Sequence, residues 1–165
     1  MEFICEALTD QQDVSSFTSG QVSLDDWLRK SARDSDGRNL TRTYLWHTGD
    51  GVAVGYYSMM PYFIERPTLT KKQGRGLPDR IPGYLIARLA LHVDLQGQGL
   101  GSQPLASALA RAVGGARELG GRFVVVDAID DSAQSFYLHH GFEPIQADGR
   151  RLLLAIKAVE KFVAR

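Results

Sequence analysis

Gly83-Tyr-Leu-Ile-Ala-Arg-Leu-Ala-Leu-His-Val93, running straight into Asp94-Leu-Gln-Gly-Gln-Gly-Leu-Gly101, is the stretch on which the fold turns. Its first part is almost continuously apolar and of strand length, which suits the centre of a sheet. Beyond the glycines, Leu105, Leu109, Ala112, Val113 and Ala116 recur at the spacing of one helix face. Pro104 is tolerated there because the first turn of a helix has no internal partner for its amides. Gly120-Gly121 closes that helix. A strand, a glycine loop and a helix in this order aim orphan amides and the positive end of a helix dipole at one place, which suits an anion. Glycines also let a phosphate approach the backbone closely. The loop Gln96-x-x-Gly99-x-Gly101 has neither the Lys-Ser/Thr of a nucleotide P-loop nor a Gly-x-Gly-x-x-Gly run, so neither ATP nor NAD is the expected ligand. Taken alone, it is equally a tight turn without a ligand.

Outward from this stretch the pattern is that of one mixed α/β domain over residues 1–165. Phe3 to Leu8 reads as an opening strand. Ser23 can cap a helix that carries Leu24, Trp27, Leu28 and Ala32 on one face, with Asp25 and Asp26 in its first turn and Asp34 to Gly37 as its stop. Thr41 to Thr48 and Val52 to Met60 are β-rich, and Gly49-Asp50-Gly51 between them signals a hairpin. Pro61 to Pro82 holds four of the six prolines and reads as a surface loop with room for a short helix. Phe123 to Val126 is a buried strand, Ser132 to His140 a short helix, and Phe142 to Ile145 and Leu152 to Lys157 are final strands. No repeat, linker or low-complexity tract interrupts them.

The chain has 165 residues, 19 basic and 19 acidic side chains, 44% hydrophobic residues and a single cysteine, Cys5. That length lets one domain bury roughly two-thirds of its unfolded surface. A lone cysteine rules out an internal disulfide, and four histidines without a His-x3-His pair argue against structural zinc, so no metal is expected. No apolar run approaches the roughly 20 residues of a membrane span. The N-terminal stretch lacks the basic and apolar regions of a signal peptide, so a cytoplasmic location is expected. The charges are unevenly placed. Arg29, Lys30, Arg33, Arg38 and Arg42 form one basic stretch, and Arg66, Lys71, Lys72, Arg75 and Arg80 a second. Each is either a solvated face or a phosphate-contacting surface.

Arg88-Leu-Ala-Leu-His-Val-Asp-Leu-Gln-Gly-Gln-Gly-Leu-Gly101 resembles the acyl-CoA-binding signature of the GNAT superfamily of N-acetyltransferases, and Ala133-Gln-Ser-Phe-Tyr-Leu-His-His-Gly-Phe142 resembles its second signature. The resemblance implies a single mixed, mostly antiparallel twisted sheet flanked by helices, with central strands that splay to admit pantetheine. Backbone groups around Ala90, Leu91 and His92 would pair with the pantetheine amides. The pyrophosphate of acetyl-CoA would rest on the loop Gln96, Gly97, Gln98, Gly99, Leu100, Gly101 and Ser102. Asp130 stands where the superfamily often has an Asn that contacts the coenzyme.

Attack of an amine on a thioester builds an oxyanion and expels a thiolate. A free amide near Leu91 could stabilise the first. A tyrosine hydroxyl, protonated at neutral pH, could protonate the second. Tyr137 holds the motif position that has this role in similar enzymes; the competing reading is packing beside Phe136 and Phe142. His92, His139, His140, Glu65 and Asp94 are candidate bases, and none has a partner that selects it. Without a strong base, an α-amine of pKa about 7.7–8.0 is a better acceptor than lysine at about 10.4.

A narrower resemblance spans almost the whole chain. Phe17-x-x-Gly20, Leu24-Asp25-x-Trp27-Leu28-Arg29, Arg42-Thr-Tyr44, Val54-Gly-Tyr-Tyr-Ser58 and Ile81-Pro82 before Arg88-Leu89-Ala90 are similar to the GNAT toxins of bacterial toxin–antitoxin modules. Thr18-Ser19 stand where that family often has Asp-Cys. This likeness implies acetylation of the α-amine of aminoacyl-tRNA, a block to translation, a small DNA-binding antitoxin as partner, and a homodimer. Arg88, Arg29, Arg33 and Arg42 are then candidate substrate contacts. The alternatives are a GNAT enzyme acting on a small amine or a protein N-terminus, or a coenzyme- or partner-binding module without turnover.

Overall fold

The computed structural model describes residues 2–163. Strands β1 (Ile4–Ala7), β2 (Arg42–His47), β3 (Gly55–Glu65), β4 (Arg80–Leu91), β5 (Phe123–Asp127), β6 (Glu143–Pro144) and β7 (Arg151–Ala155) form a sheet of order β1-β2-β3-β4-β5-β7-β6. β4 and β5 run parallel, while β1–β2, β2–β3, β5–β7 and β6–β7 are antiparallel. The helices are α1 (Val22–Lys30), α2 (Ala32–Gly37), α3 (Lys71–Gly74), α4 (Ser102–Leu119), α5 (Asp131–His139) and α6 (Ile156–Val163). The architecture is the mixed, mostly antiparallel sheet with flanking helices that the sequence leads one to expect.

The chain gathers into two compact units, one of Met1–Met60 with Ala87–Ala108 and one of Pro61–Ile86 with Leu109–Arg165. In the first, Phe17, Leu28, Leu45, Tyr56 and Ala90 form a buried cluster against which Leu24 and Trp27 of α1 pack. Burying a side chain such as Phe17 or Leu28 stabilises by about 1.5–3 kcal/mol. In the second, Ile64, Ile81, Phe123, Val125 and Leu153 make the corresponding cluster. Phe123, Val124, Val125 and Val126 are all buried, as a strand covered on both faces of the sheet requires.

Several elements differ from expectation, each for a physical reason. The N-cap of α1 is Gln21, not Ser23, and it makes no side-chain capping bond. Gly20, at φ 90°, turns the chain into the helix two residues earlier. The segment Asp34 to Gly37 does not merely stop α1 but lies in a second helix, α2. The expected loop over 61–82 is shorter. β3 continues through Pro61 to Glu65 with Ile64 buried and Pro61, Phe63 and Glu65 exposed, a period-two pattern that the prolines hide. The last strand stops at Ala155 because Ile156, whose N–H donates to Arg122 O at 2.9 Å, opens α6.

Gly83 is where β4 and β5 come closest. A Cβ built there would lie 2.5 Å from Phe123 O. Backbone must move to relieve such a contact, so Gly83→Ala is expected to lower stability by about 2 kcal/mol or more. Gly114 is its control, because a Cβ there meets nothing within 4 Å. Gly114→Ala in the interior of α4 should raise stability by about 0.5–1 kcal/mol. Urea titration of both variants checks the opposite signs.

Candidate active site

The site begins where β4 loses a neighbour. Pairing with β5 covers Gly83 to Ile86, whereas β4 itself continues to Leu91. The end of the strand is held from its β3 side. His92 N–H donates to Val54 O at 2.9 Å, and Val93 N–H to Thr18 O at 2.9 Å. Ala90 O lies on that same side, 3.3 Å from the place a Cβ on Gly55 would take. A trans peptide points its C=O and N–H in opposite directions. The N–H of Leu91 therefore faces the other edge of β4. Thr18 and Ser19, which depart in type from the toxin pattern, meet this strand end through main-chain carbonyls, which either residue type supplies.

The loop after β4 is shaped by conformation. Gly97 and Gly99 sit at φ 75° and 74°, and a Cβ on either would meet nothing within 4 Å. Glycine is needed there for the left-handed backbone, beyond the close approach that the sequence suggested. Ser102 Oγ donates to Gly99 O at 3.2 Å and Gln98 Nε2 to Asp94 O at 2.9 Å, so both side chains brace the turn. Among the described residues, the peptide N–H groups from Gly97 to Ser102 reach no acceptor. Leu100 is half-buried and Gly101 opens α4, accepting from Leu105 N–H at 3.4 Å. Free amides at the start of an 18-residue helix fit a pyrophosphate.

Tyr137 lies on α5 with its side chain buried, its ring 5.2 Å from Phe136 and 5.4 Å from Phe142 between centroids. Among the described residues its hydroxyl has no hydrogen-bond partner. Burial pushes its pKa well above the ordinary tyrosine value, so it stays a neutral donor. The aromatic neighbours that suggested a structural role are also part of the burial that keeps the proton on. Asp130, which stands at the motif's Asn position, caps α5, accepting from Ala133 N–H at 2.8 Å.

Two of the candidate bases, His92 and Glu65, are held by polar neighbours. His92 Nδ1 accepts from Asp94 N–H at 3.2 Å and its ring lies 6.1 Å from that of Phe17. Glu65 pairs with Arg80 at 3.3 Å. His139 and His140 stack edge to face at 5.3 Å, and burial first, then the charge of His139, lower the pKa of His140.

No protein-family model matches the chain. A tRNA-acetylating toxin of Mycobacterium tuberculosis (strain ATCC 25618 / H37Rv) is 37% identical over 150 residues, covering 91% of this chain and 90% of the relative. The chain belongs to the GNAT toxin family. Two solved structures agree with that membership. AtaT complexed with acetyl-methionyl-tRNAfMet is 26% identical, with a TM-score of 0.89 over 98% of this chain and 99% of that one. AtaTR bound with acetyl-CoA is 27% identical, with a TM-score of 0.85 over 98% of each.

In this GNAT toxin the arginines singled out from sequence divide into two groups. Arg29 donates to Phe17 O and pairs with Asp26 at 3.3 Å. Arg33 bridges Thr9 O at 3.0 Å and Gln12 O at 2.7 Å. Arg42 donates to Asp36 O at 2.9 Å, Thr41 O at 3.0 Å and Asn39 Oδ1 at 2.7 Å. These three brace turns of their own chain. Arg88 instead lies over Trp27, its Cζ 4.0 Å from the ring centroid, and Trp27 stacks on Tyr56 at 6.2 Å and 12°. Burial lowers the Arg88 pKa, and Tyr56 opposes that shift. Among the described residues Arg88, Lys71, Lys72 and Arg75 have no carboxylate partner. The three on and beside α3 belong to the second basic stretch, and Asp79, four residues after Arg75, pairs with Arg66 instead. If Arg33 is a brace, Arg33→Ala should lower stability by about 1 kcal/mol in chemical denaturation.

Proposed function

We propose that this GNAT toxin moves the acetyl group of acetyl-CoA onto the α-amine of an aminoacyl-tRNA and thereby blocks translation. The observation that carries the reading is the pinned end of β4, with the Leu91 N–H turned to a free edge, leading into the unbonded amides of Gly97 to Ser102. Membership of a family with a tRNA-acetylating relative supplies the acceptor.

In the proposed reaction, main-chain groups of Ala90, Leu91 and His92 hold the pantetheine arm that carries the thioester, and the amides of Gly97 to Ser102 hold the pyrophosphate. The Leu91 N–H donates to the carbonyl oxygen as negative charge collects on it. The C–S bond then breaks, and Tyr137 gives its proton to the departing sulfur. Arg88, Lys71, Lys72 and Arg75 are the cations best disposed to meet tRNA phosphates, and such contacts weaken steeply with salt. The chain is taken to work as one transferase domain over residues 1–165, as a cytoplasmic homodimer, inhibited by a small DNA-binding antitoxin.

Transfer from labelled acetyl-CoA to charged tRNA, deacylated tRNA, and lysine peptides with small amines tests the acceptor. Label on charged tRNA alone, lost on deacylation, is expected; label only on peptides or small amines overturns the tRNA assignment. Tyr137→Phe should lower kcat by about a hundredfold and leave coenzyme affinity unchanged. The pH profile has a definite sign. Activity should rise as the acceptor amine deprotonates near about pH 7.7–8.0, with no fall toward about pH 10, because burial holds the Tyr137 proton beyond that range. A descending limb near the ordinary tyrosine pKa would remove Tyr137 from the donor role.

A further inference from the structure

Gln96 opens the glycine motif, and its position suggests a coenzyme contact. Its side chain is used otherwise. Nε2 donates to Ser19 O at 2.7 Å and to Leu91 O at 2.8 Å. A primary amide has two N–H bonds, so both are spent on carbonyls of its own chain.

The two carbonyls are held in different ways. Ser19 is fixed by Asp25 of α1, whose Oδ1 accepts both Ser19 N–H at 2.9 Å and Ser19 Oγ–H at 2.7 Å. Asp25 and Ser19 are only 4% and 6% exposed, so this pair is shielded from competing water. Leu91 O belongs to the peptide unit whose other end, His92 N–H, bonds Val54 O. Gln96 and Val54 therefore clamp one planar unit at its two ends. The clamped unit directly follows the one that carries the Leu91 N–H, so it holds Leu91 from its carbonyl side and limits how far that N–H can turn.

We infer that Asp25, Ser19 and Gln96 form a positioning relay that holds the Leu91 peptide group in register for acetyl transfer, with Gln96 a positioning residue and not a side-chain ligand of the coenzyme. This rests on the transfer reaction proposed above. A donor aimed at developing charge contributes only when it is prealigned, and a displacement of about 1 Å costs on the order of a hundredfold in rate. Loss of the relay should therefore appear in kcat. Coenzyme affinity, set by the amides from Gly97 to Ser102, should remain.

The test is steady-state kinetics of the full chain on charged tRNA, with acetyl-CoA binding measured by calorimetry. Gln96→Met, similar in size but without donors, should lower kcat about tenfold or more, with KM and Kd for acetyl-CoA within about twofold. Gln96→Lys, whose ammonium can reach both carbonyls, should recover most of that loss. Asp25→Ala should lower kcat in the same way, and combining it with Gln96→Met should add little, because the two act through one network. If Asp25→Ala fails to fold, the Gln96 pair decides alone. Unchanged kcat in Gln96→Met, or a loss confined to KM and Kd, overturns the relay while the transfer reaction stands. A wild-type chain that acetylates no charged tRNA overturns the proposed function, and the relay falls with it.

Discussion

The structure depends on a strand that is bonded along one edge and free along the other. β4 is 12 residues long, and its partner β5 accompanies it only from Gly83 to Ile86. An unaccompanied strand end inside a fold would fray unless something on its remaining side held it. Here Val54 and Thr18 supply the carbonyls, and Gly55 permits the approach, since a Cβ there would stand 2.9 Å from Leu91 Cδ2. The hydrophobic cluster of Phe17, Tyr56 and Ala90 backs the same place. Apolar burial and main-chain bonding thus converge on a few residues whose other edge is left by β5 and carries the Gln96 side chain on Leu91 O.

Much of this was legible in the sequence, because it is local. The apolar run, the glycines and the period of α4 follow each other without a break. Each is dictated by short-range rules of strand burial, left-handed turns and helix amphipathicity. Tyr137 was legible only through its motif; its aromatic neighbours taken alone argue for packing. What escaped was long-range. Gln96 lies 77 residues from Ser19, and no spacing rule links them. The role of Asp25 was equally hidden, since an acid in the first turn of a helix ordinarily answers the helix dipole. It is instead buried against Ser19. The continuation of β3 past Pro61 was obscured for a different reason: proline count outweighed an alternation that Tyr62 and Ile64 in fact carry.

A cluster of arginines on sequence looks like an anion surface, yet Arg29, Arg33 and Arg42 spend their donors on carbonyls and side chains of neighbouring turns. Arginine suits that task, because its planar fork serves two acceptors at once. Among the described residues, lysines are prominent among the cations left without carboxylate partners. A chain with zero formal net charge can still receive an anionic coenzyme, because the free amides of a glycine loop carry no formal charge.

The same economy bears on the missing base. In the proposed reaction the acceptor attacks as a neutral amine and becomes a positively charged nitrogen that must lose one proton, while the leaving sulfur must gain one. Tyr137 gives a proton and must recover one. Burial makes tyrosinate costly at this position, as the upward pKa shift shows. A proton on the new ammonium therefore has a strong tendency to move to the tyrosine oxygen once that oxygen has served the sulfur. Proton flow from nitrogen through Tyr137 to sulfur balances without any further titrating group. That is consistent with His92 and Glu65 being engaged elsewhere. It also confines efficient acceptors to amines that already carry a free lone pair near neutral pH, which describes an aminoacyl ester better than a lysine side chain.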